Sequence, residues 1–258
     1  MLVDSHCHLE YEGLVDDQPG VLGRARAAGV CAFLNISTKR SEWDRVVATA
    51  AREQDVYASV GIHPHHADDH LELGEDELAE AAAHPRVIGL GETGLDYYYD
   101  HSDREAQQRL FRRHIAVARD LQLPVIIHTR DAEDDTAAIL AEEMGKGAFP
   151  ALIHCFTASA AFGERMLELG LSISISGIVT FKNASDLADF AAHIPDERLL
   201  VETDSPFLAP VPHRGRPCEP AFVADTARFL AARRGVTPEA LAATTTANFH
   251  RLFTKAPA

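Results

Sequence analysis

The feature that most constrains the fold of this chain is a set of eight short apolar runs, each rich in Val, Ile or Leu. The runs cover residues 2–6, 30–37, 56–63, 86–92, 123–128, 150–156, 171–177 and 198–203. Continuous apolar runs of this length are typical of parallel strands that are buried on both faces. A chain with eight of them must bury a large sheet beneath covering helices.

The longer segments between the runs have the apolar spacing of helices. Helices are predicted over residues 20–29, 41–54, 74–84, 103–121, 133–145, 159–169, 185–193, 220–235 and 238–253. Eight strands alternating with helices predict an α/β protein, a (β/α)₈ TIM barrel, formed as a single domain over residues 1–258. A doubly wound open sheet is the alternative. The strand count and a length near 250 residues favour the barrel.

Composition limits the classes of function. The formal net charge is −15, and a negative surface repels nucleic acid at long range. This excludes a protein that coats or slides along DNA, but it allows an enzyme that holds one strand end through local positive groups. The chain has four cysteines without a CxxC pair, no leader-like start and no apolar run of about 18 residues. We therefore expect a cytoplasmic, soluble monomer that does not enter a membrane.

Six of the eight runs end in side chains that can bind a metal ion or move a proton. These residues are His6, His8, His63, Glu92, His128, His154 and Asp204. In a barrel the carboxyl ends of all strands meet at one mouth, so these residues should converge. Imidazoles and carboxylates together form a mixed site for divalent metal.

Taken singly, each of these residues has a simpler explanation. A lone histidine at a strand end is more often a hydrogen-bonded polar group than a ligand, and a lone acid often caps the next helix. A structural role for all of them would require six coincidences at one rim. The remaining histidines are predicted to be surface or packing residues; they include His65, His66, His70, His84, His101, His114 and His193.

Several side chains near the predicted mouth could contact a substrate. Arg130 follows His128 by two residues and would either clamp a phosphate or pair with Asp131. His213, Arg214 and Arg216 lie in the loop after the eighth run, where they would form a positive patch near Asp204. The tyrosines at 97–99 would either stack on a base or pack the loop. Asp96 is predicted to orient that loop and to support a ligating imidazole.

The ordered motifs of the chain resemble those of the TatD family of metal-dependent deoxyribonucleases, which are amidohydrolase-like metallohydrolase barrels. The matching stretches are DSHCHL (4–9), GIHPH (61–65), GETGLDYY (91–98), IIHTR (126–130), IHCFT (153–157), SISG (174–177), ETDSPFLAP (202–210) and NFHRLF (248–253). The chain departs from the family pattern at Thr93 and Ala158, and neither departure removes a ligand.

The resemblance implies a site with two or three metal ions. One group would comprise His6, His8, Glu92 and Asp204. A second would comprise Glu92, His128 and His154, with Glu92 bridging the two. His63 would lie near the scissile phosphate. The resemblance also implies a 3′–5′ exonuclease that acts on single-stranded DNA with Mg²⁺ as its working metal; the histidine content would also suit Zn²⁺ or Mn²⁺.

Two roles remain open for Asp204, which would act as general base or only as a ligand. Two other functions also remain open. The first is an amide or ester hydrolase, such as a deacylase for a small molecule or aminoacyl-tRNA, because its metal chemistry is nearly the same. The second is a barrel that only binds, which the complete ligand set disfavours.

Overall fold

A computed structural model describes residues 1–257, so residue 258, the last of the expected domain range, lies outside the described part. The described chain contains eight strands. They are β1 (Leu2–Cys7), β2 (Val30–Asn35), β3 (Val56–Val60), β4 (Val87–Asp96), β5 (Val125–Arg130), β6 (Ala151–Ile153), β7 (Ser172–Ile175) and β8 (Leu199–Val201). All seven neighbouring pairs are parallel and follow chain order.

Nine helices accompany the strands within residues 1–257. They are α1 (Gln18–Ala27), α2 (Trp43–Arg52), α3 (Glu75–Ala82), α4 (Arg104–Leu121), α5 (Glu133–Lys146), α6 (Ala160–Glu168), α7 (Ser185–His193), α8 (Val223–Arg234) and α9 (Pro238–Leu252). Local sequence accounts for several of their ends. Asp103 caps α4 by accepting from the amides of Glu105 and Ala106, and Gly29 at φ +91° follows the end of α1.

The sheet closes into a barrel where β1 meets the chain that follows β8. Cys7 and Ser205 form a parallel bridge, the amide of His8 donates to the carbonyl of Ser205 at 2.8 Å, and the amide of Asp204 donates to the carbonyl of His6 at 2.9 Å. The predicted single-domain (β/α)₈ barrel is confirmed, and the open doubly wound sheet is excluded.

The barrel interior is apolar towards its amino-terminal end. Its buried cluster includes Leu34, Ile88 and Ile126 from the strands, and it is completed by Phe249 of α9 and by Phe253, which directly follows that helix. Both phenylalanines are fully buried. A second and larger apolar layer lies between the strands and the surrounding helices. Helix α9 therefore closes one end of the barrel and leaves the other end to the loops.

The strands differ in length from the apolar runs. β4 continues to Asp96, so Glu92 lies inside a strand, whereas β6 and β8 end before His154 and Asp204. β6 and β8 end early because backbone amides just after them donate to carboxylate side chains and not to a neighbouring strand. The amide of Cys155 donates to Glu202 at 2.6 Å, and the amide of Thr203 donates to Asp4 at 2.8 Å.

No helix among residues 1–257 combines the length and the apolar character that crossing a membrane requires.

Candidate metal centre at the barrel mouth

Backbone hydrogen bonds hold the predicted ligands in place. The amide of His63 donates to the carbonyl of Thr38 at 2.8 Å, and that of Glu92 donates to Ser37 at 3.1 Å. The amide of His154 donates to the carbonyl of Ile127 at 3.0 Å. Each candidate ligand is thus tied to the neighbouring strand or its following loop, which limits the movement of its side chain.

Two glycines allow the chain after β3 to approach β4 closely. A Cβ atom on Gly61 would lie 2.3 Å from the Cα of Gly91, a distance that real side chains do not reach. Gly91 itself has φ +138°, which favours glycine. The close approach brings the loop of His63 against Glu92.

The first donor group combines residues from the first strand and its following loop, from β4, and from the segment after β8. His6 Nε2 lies 3.2 Å from His8 Nε2, 3.5 Å from Glu92 Oε2 and 3.6 Å from Asp204 Oδ1. His8 Nε2 lies 3.3 Å from Asp204 Oδ1 and 3.9 Å from Glu92 Oε2. The four side chains predicted for the first metal group therefore face one small volume.

The second donor group surrounds the other oxygen of Glu92. Glu92 Oε1 lies 2.7 Å from His154 Nε2, 3.1 Å from His128 Nδ1 and 3.4 Å from His63 Nε2. Glu92 is therefore placed as a bridging carboxylate, with one oxygen towards each group. The structure also brings His63 into this group, whereas the sequence placed it only near the scissile bond.

Hydrogen-bond partners distinguish the roles open to these imidazoles. His128 Nε2 lies 3.0 Å from a carboxylate oxygen of Asp96, so Nε2 carries a proton, and Nδ1 faces Glu92, where it would present its lone pair to a bound metal. His63 is the reverse case. Its Nδ1 accepts from the amide of His65 at 3.1 Å, so in the neutral ring Nε2 carries the proton. His128 is therefore suited to bind metal, while His63 is suited to donate a hydrogen bond.

The residues fit a group of divalent ions. Zinc bonds of 2.0–2.2 Å at tetrahedral angles separate neighbouring ligand atoms by about 3.4 Å, close to the separations in both groups. Three groups satisfy the distance requirement for a metal triad: His6, His8 and Glu92; His63, Glu92 and His128; and His6, His154 and Glu202. His154 Nε2 approaches Glu92 without the alignment of a hydrogen bond. A bound cation would stabilise donor atoms that are held this close together.

Electrostatics at the mouth also suit a cation. Burial opposes ionisation of Glu92, but the charge of His154 outweighs it and holds the pKa of Glu92 well below its usual range. Burial likewise opposes charge on His154, yet the charges of Glu92 and Glu202 raise its pKa well above the usual value. A proton on His154 thus balances the two carboxylates when no metal is bound. Metal entry would release protons.

Sequence reasoning missed two buried carboxylates, Glu202 and Asp4. Glu202 Oε1 lies 3.3 Å from His154 Nδ1, and Glu202 is fully buried. Asp4 is also fully buried and accepts from Thr203 Oγ1 at 2.6 Å; burial raises the pKa of Asp4 to about 8. Both lie within the strand-end motifs DSHCH and ETD. The acids adjacent to the predicted ligands were the signal that could have revealed them.

The prediction of a surface or packing role is wrong for one histidine of the mouth region and correct for another. For His65 the assignment was wrong, because Nε2 lies 3.0 Å from Asp96 Oδ2, the same oxygen that His128 uses. A short 3₁₀ turn over Pro64–His66 folds His65 back towards the mouth. His114 is a packing residue, as predicted, and it is fully buried beneath Ile62.

Asp96 connects the β4 loop to the donor groups. One of its oxygens faces His128 and His65, and the other accepts from the amides of Tyr98 and Tyr99 at 3.1 and 3.0 Å. These contacts match both predicted roles of Asp96, orientation of the loop and support of an imidazole.

The predicted substrate-binding arginines lie in different surroundings. Arg130 lines the mouth cavity and places its guanidinium 4.0 Å from the ring centroid of Tyr98. No ion pair with Asp131 occurs within the described chain. Arg214 lies 3.7 Å from the ring centroid of Phe181, and neither it nor Arg216 is among the described residues that line the cavity.

The neighbour of these two arginines, His213, points away from the mouth. Its Nε2 lies 3.0 Å from Asp225 of α8, and its ring stacks on Phe222 at 3.8 Å. The proposed positive patch is therefore reduced to Arg214 and Arg216 at the outer edge of the loop.

The mouth is a cavity of about 680 Å³ lined by the donor groups, by Thr38, Tyr11 and Phe207, and by Arg130. Eight parallel strands with imidazoles and carboxylates converging at their carboxyl ends define the class of metal-dependent hydrolase barrels.

Comparison with known proteins identifies the family within that class. The family described as TatD related DNase matches residues 3–254. The uncharacterized metal-dependent hydrolase YcfH of Escherichia coli K12 is 46% identical over 255 residues, which cover 98% of this chain and 95% of YcfH. The 3′-5′ ssDNA/RNA exonuclease TatD of Citrobacter koseri is 34% identical, with 98% of each chain covered.

Among solved structures, the TatD homologue YjjV of Escherichia coli K12 superimposes with a TM-score of 0.91 at 30% identity, again with 98% of each chain covered. The chain belongs to the TatD family of metal-dependent hydrolases.

Proposed function

We propose that the chain is a metal-dependent 3′–5′ exonuclease that hydrolyses phosphodiester bonds of single-stranded DNA. The observation that carries the proposal is the placement of Glu92, whose two oxygens face two separate groups of buried donors. Paired metal sites of this kind are suited to a phosphodiester, which needs charge neutralisation on both sides of the reacting phosphorus. The name of the Citrobacter koseri relative, 3′-5′ ssDNA/RNA exonuclease, supports the substrate class.

The residues assigned to the metals are those of the two donor groups. His6, His8, Glu92 and Asp204 would hold one ion, and Glu92, His128 and His154 would hold the other. Mg²⁺ is the proposed working metal, and Zn²⁺ or Mn²⁺ would also suit the imidazoles; a third ion could use His6, His154 and Glu202. When bound, the ions would neutralise the phosphate and lower the pKa of water.

Asp204 is proposed as the general base. Its side chain is 14% exposed, whereas that of Glu92 is only 4% exposed, so water reaches Asp204 more readily. Hydrogen bonding to His8 and the charge of His6 hold the pKa of Asp204 below its usual value despite burial, so the carboxylate is ionised and able to accept a proton.

His63 and Arg130 are proposed to contact the phosphate. The proton on His63 Nε2 points into the donor group and would hydrogen-bond a phosphate or leaving oxygen. The guanidinium of Arg130 stands at the cavity wall without a carboxylate partner among residues 1–257, so its donors are available to a phosphate oxygen. Arg214 and Arg216 would contact the strand further out. The proposed enzyme acts as a cytoplasmic monomer.

Hydrolysis of 5′- and 3′-labelled single-stranded DNA by metal-stripped protein tests the proposal, with Mg²⁺, Mn²⁺ and Zn²⁺ returned separately. We expect a ladder that shortens from the 3′ end, requires metal and disappears in the Glu92→Ala/Asp204→Ala variant. Asp120→Asn is a matched control, because it removes an exposed carboxylate of α4 outside the mouth. Absence of cleavage with every metal, while elemental analysis still finds bound metal, would favour the amide or ester hydrolase instead.

A further inference from the structure

We propose that the barrel mouth grips the substrate strand between two aromatic walls, which stack on the bases on either side of the scissile phosphate. This inference rests on the proposed function and restricts its substrate to a single strand with unpaired, unstacked bases. The first wall is formed by Tyr98, Tyr99 and Arg130. The second is formed by Phe207.

The first wall stands on the loop after β4. The rings of Tyr98 and Tyr99 are 57% and 48% exposed and meet edge to face at 4.8 Å. The Arg130 guanidinium lies 4.0 and 4.8 Å from their centroids, so it adds a flat cation to the wall. Their neighbour Tyr97 differs, because its hydroxyl donates to Asp135 at 2.7 Å and so fixes the ring in the loop packing.

The second wall stands on the loop after β8. Phe207 is 49% exposed and lines the cavity. Its ring is arranged in a T-shape with the rings of His8 and Tyr11, at centroid distances of 6.2 and 6.1 Å, and its amide donates to the carbonyl of Asp204 at 2.9 Å. Phe207 is therefore fixed relative to two candidate ligands, while about half of its surface stays open to solvent.

The barrel order places the two walls opposite each other. β4 and β8 are four positions apart in a closed ring of eight strands, and the donor groups lie between them. Within residues 1–257, three Phe, Tyr or Trp side chains are strongly exposed, and they are Tyr98, Tyr99 and Phe207. Tyr99 and Phe207 line the mouth cavity, and Tyr98 lies beside Tyr99 on the same loop. Isolated exposed apolar residues are ordinary, but the gathering of all three exposed rings at or beside one mouth is not.

Stacking platforms beside a positive group are how proteins hold single strands without reading their sequence. Base stacking on an aromatic side chain changes binding by about 10-fold or more per base. A small ester, amide or lactone has no second base, so it would leave one wall without a partner. The paired walls therefore favour a strand that passes across the mouth.

Abasic substrates test the proposal on the wild-type enzyme. Three DNA strands of equal length carry a tetrahydrofuran residue on the 5′ side of the cleaved bond, on its 3′ side, or on both sides. We expect each single replacement to lower kcat/KM about 10-fold and the double replacement to lower it further. Cleavage of all three at the rate of the parent strand would overturn the proposal and leave the nuclease assignment intact.

Substitutions in the two walls identify which base stacks on which wall. We expect Phe207→Ala and Tyr99→Ala each to lower kcat/KM about 10-fold on the parent strand and to become insensitive to one abasic position, a different one for each variant. Phe207→Trp should retain activity, while Phe207→Leu, which keeps apolar bulk without an aromatic face, should not. The control is Val236→Ala, at an exposed apolar residue after α8. Equal losses on parent and doubly abasic strands would contradict stacking.

Binding measured without catalysis separates the walls from the chemistry. A dinucleotide containing 2-aminopurine is mixed with the protein in EDTA, and stacking is read from the quenching of its fluorescence. Loss of quenching in both Ala variants supports the two walls, whether or not any metal gives cleavage. If no metal gives cleavage, the nuclease assignment fails and the walls stand. Absence of quenching by the wild type, or equal quenching by wild type and variants, overturns the walls.

Discussion

The two ends of the barrel are built from opposite kinds of side chain. At the amino-terminal end, Phe249 of α9 and Phe253, which directly follows that helix, are fully buried against apolar strand residues. At the carboxyl end, Glu92 and His154 are almost as deeply buried, but they face other charged or polar groups. One end gains stability from the removal of apolar surface from water, and the other retains polar groups that a cation can bind. Substitutions at the two ends should therefore have separable effects.

The largest expected effect follows Glu92→Gln at the mouth. The neutral amide cannot bridge two cations, so we expect kcat/KM to fall by about 10⁴-fold and the metal content per chain to fall with it. Hydrolysis assays and elemental analysis measure the two changes. Since the polar end is not the source of stability, the variant should still unfold cooperatively. A variant with full metal content and activity would remove Glu92 from the centre.

The next largest effect is expected at the opposite end. Phe249→Ala leaves a cavity among buried apolar groups and should lower the free energy of unfolding by about 3–5 kcal/mol. Urea denaturation measures that loss, with Phe249→Leu as the volume-conserving control at under about 1.5 kcal/mol. The activity of the folded fraction should remain that of the wild type. A large loss of kcat in folded protein would show that the two ends are not independent.

His114 is a polar group that serves stability rather than the site. Its Nδ1 donates to the carbonyl of Leu110 at 2.8 Å, and its Nε2 accepts from the amide of Ile62 at 3.2 Å. Burial lowers the pKa of His114 to about 4, against a usual value of 6.5. Between these values the unfolded chain binds a proton that the folded chain does not, so stability falls as pH falls from 6.5 to 4.

At 1.36 kcal/mol per pKa unit, the full contribution of His114 is about 3 kcal/mol. Urea denaturation of wild type and His114→Gln at pH 7, 5.5 and 4 measures it, because the amide can keep both hydrogen bonds and does not titrate. We expect a flatter pH dependence in the variant. Parallel curves for the two proteins would contradict this origin of acid sensitivity.

The smallest expected effect concerns Asp96, which supports His128 without belonging to a donor group. Asp96→Asn keeps an oxygen for the amides of Tyr98 and Tyr99 but removes the charge beside His128. We expect metal affinity of the second group to weaken by 10–100-fold, roughly the effect of losing such a partner, with the first group unchanged. A calorimetric titration with metal resolves the affinities of the two groups. Equal weakening of both sites would argue against separate groups.

Much of this architecture follows from the sequence because strand ends are easy to locate. The apolar runs fix the order of the strands, and barrel closure then brings residues as distant as His6 and Asp204 together. The burial of Asp4 and Glu202 could not be predicted in the same way. Asp4 depends on its contact with Thr203 across the closed seam between β1 and β8, and Glu202 depends on its contact with Cys155 after β6. The position of His65 depends on a short turn, and that of Arg214 depends on where the ring of Phe181 lies.

The seam between β1 and β8 also affects when the first metal group can form during protein synthesis. His8 lies at residue 8 and Asp204 at residue 204, so 204 − 8 = 196 residues separate two members of one group. At about 5–20 residues per second, a ribosome needs roughly 10–40 s to add them. During that interval the histidines of the first strand are made but lack their carboxylate partner. A growing chain therefore cannot complete this site until translation has passed Asp204, which delays metal capture until the barrel can close.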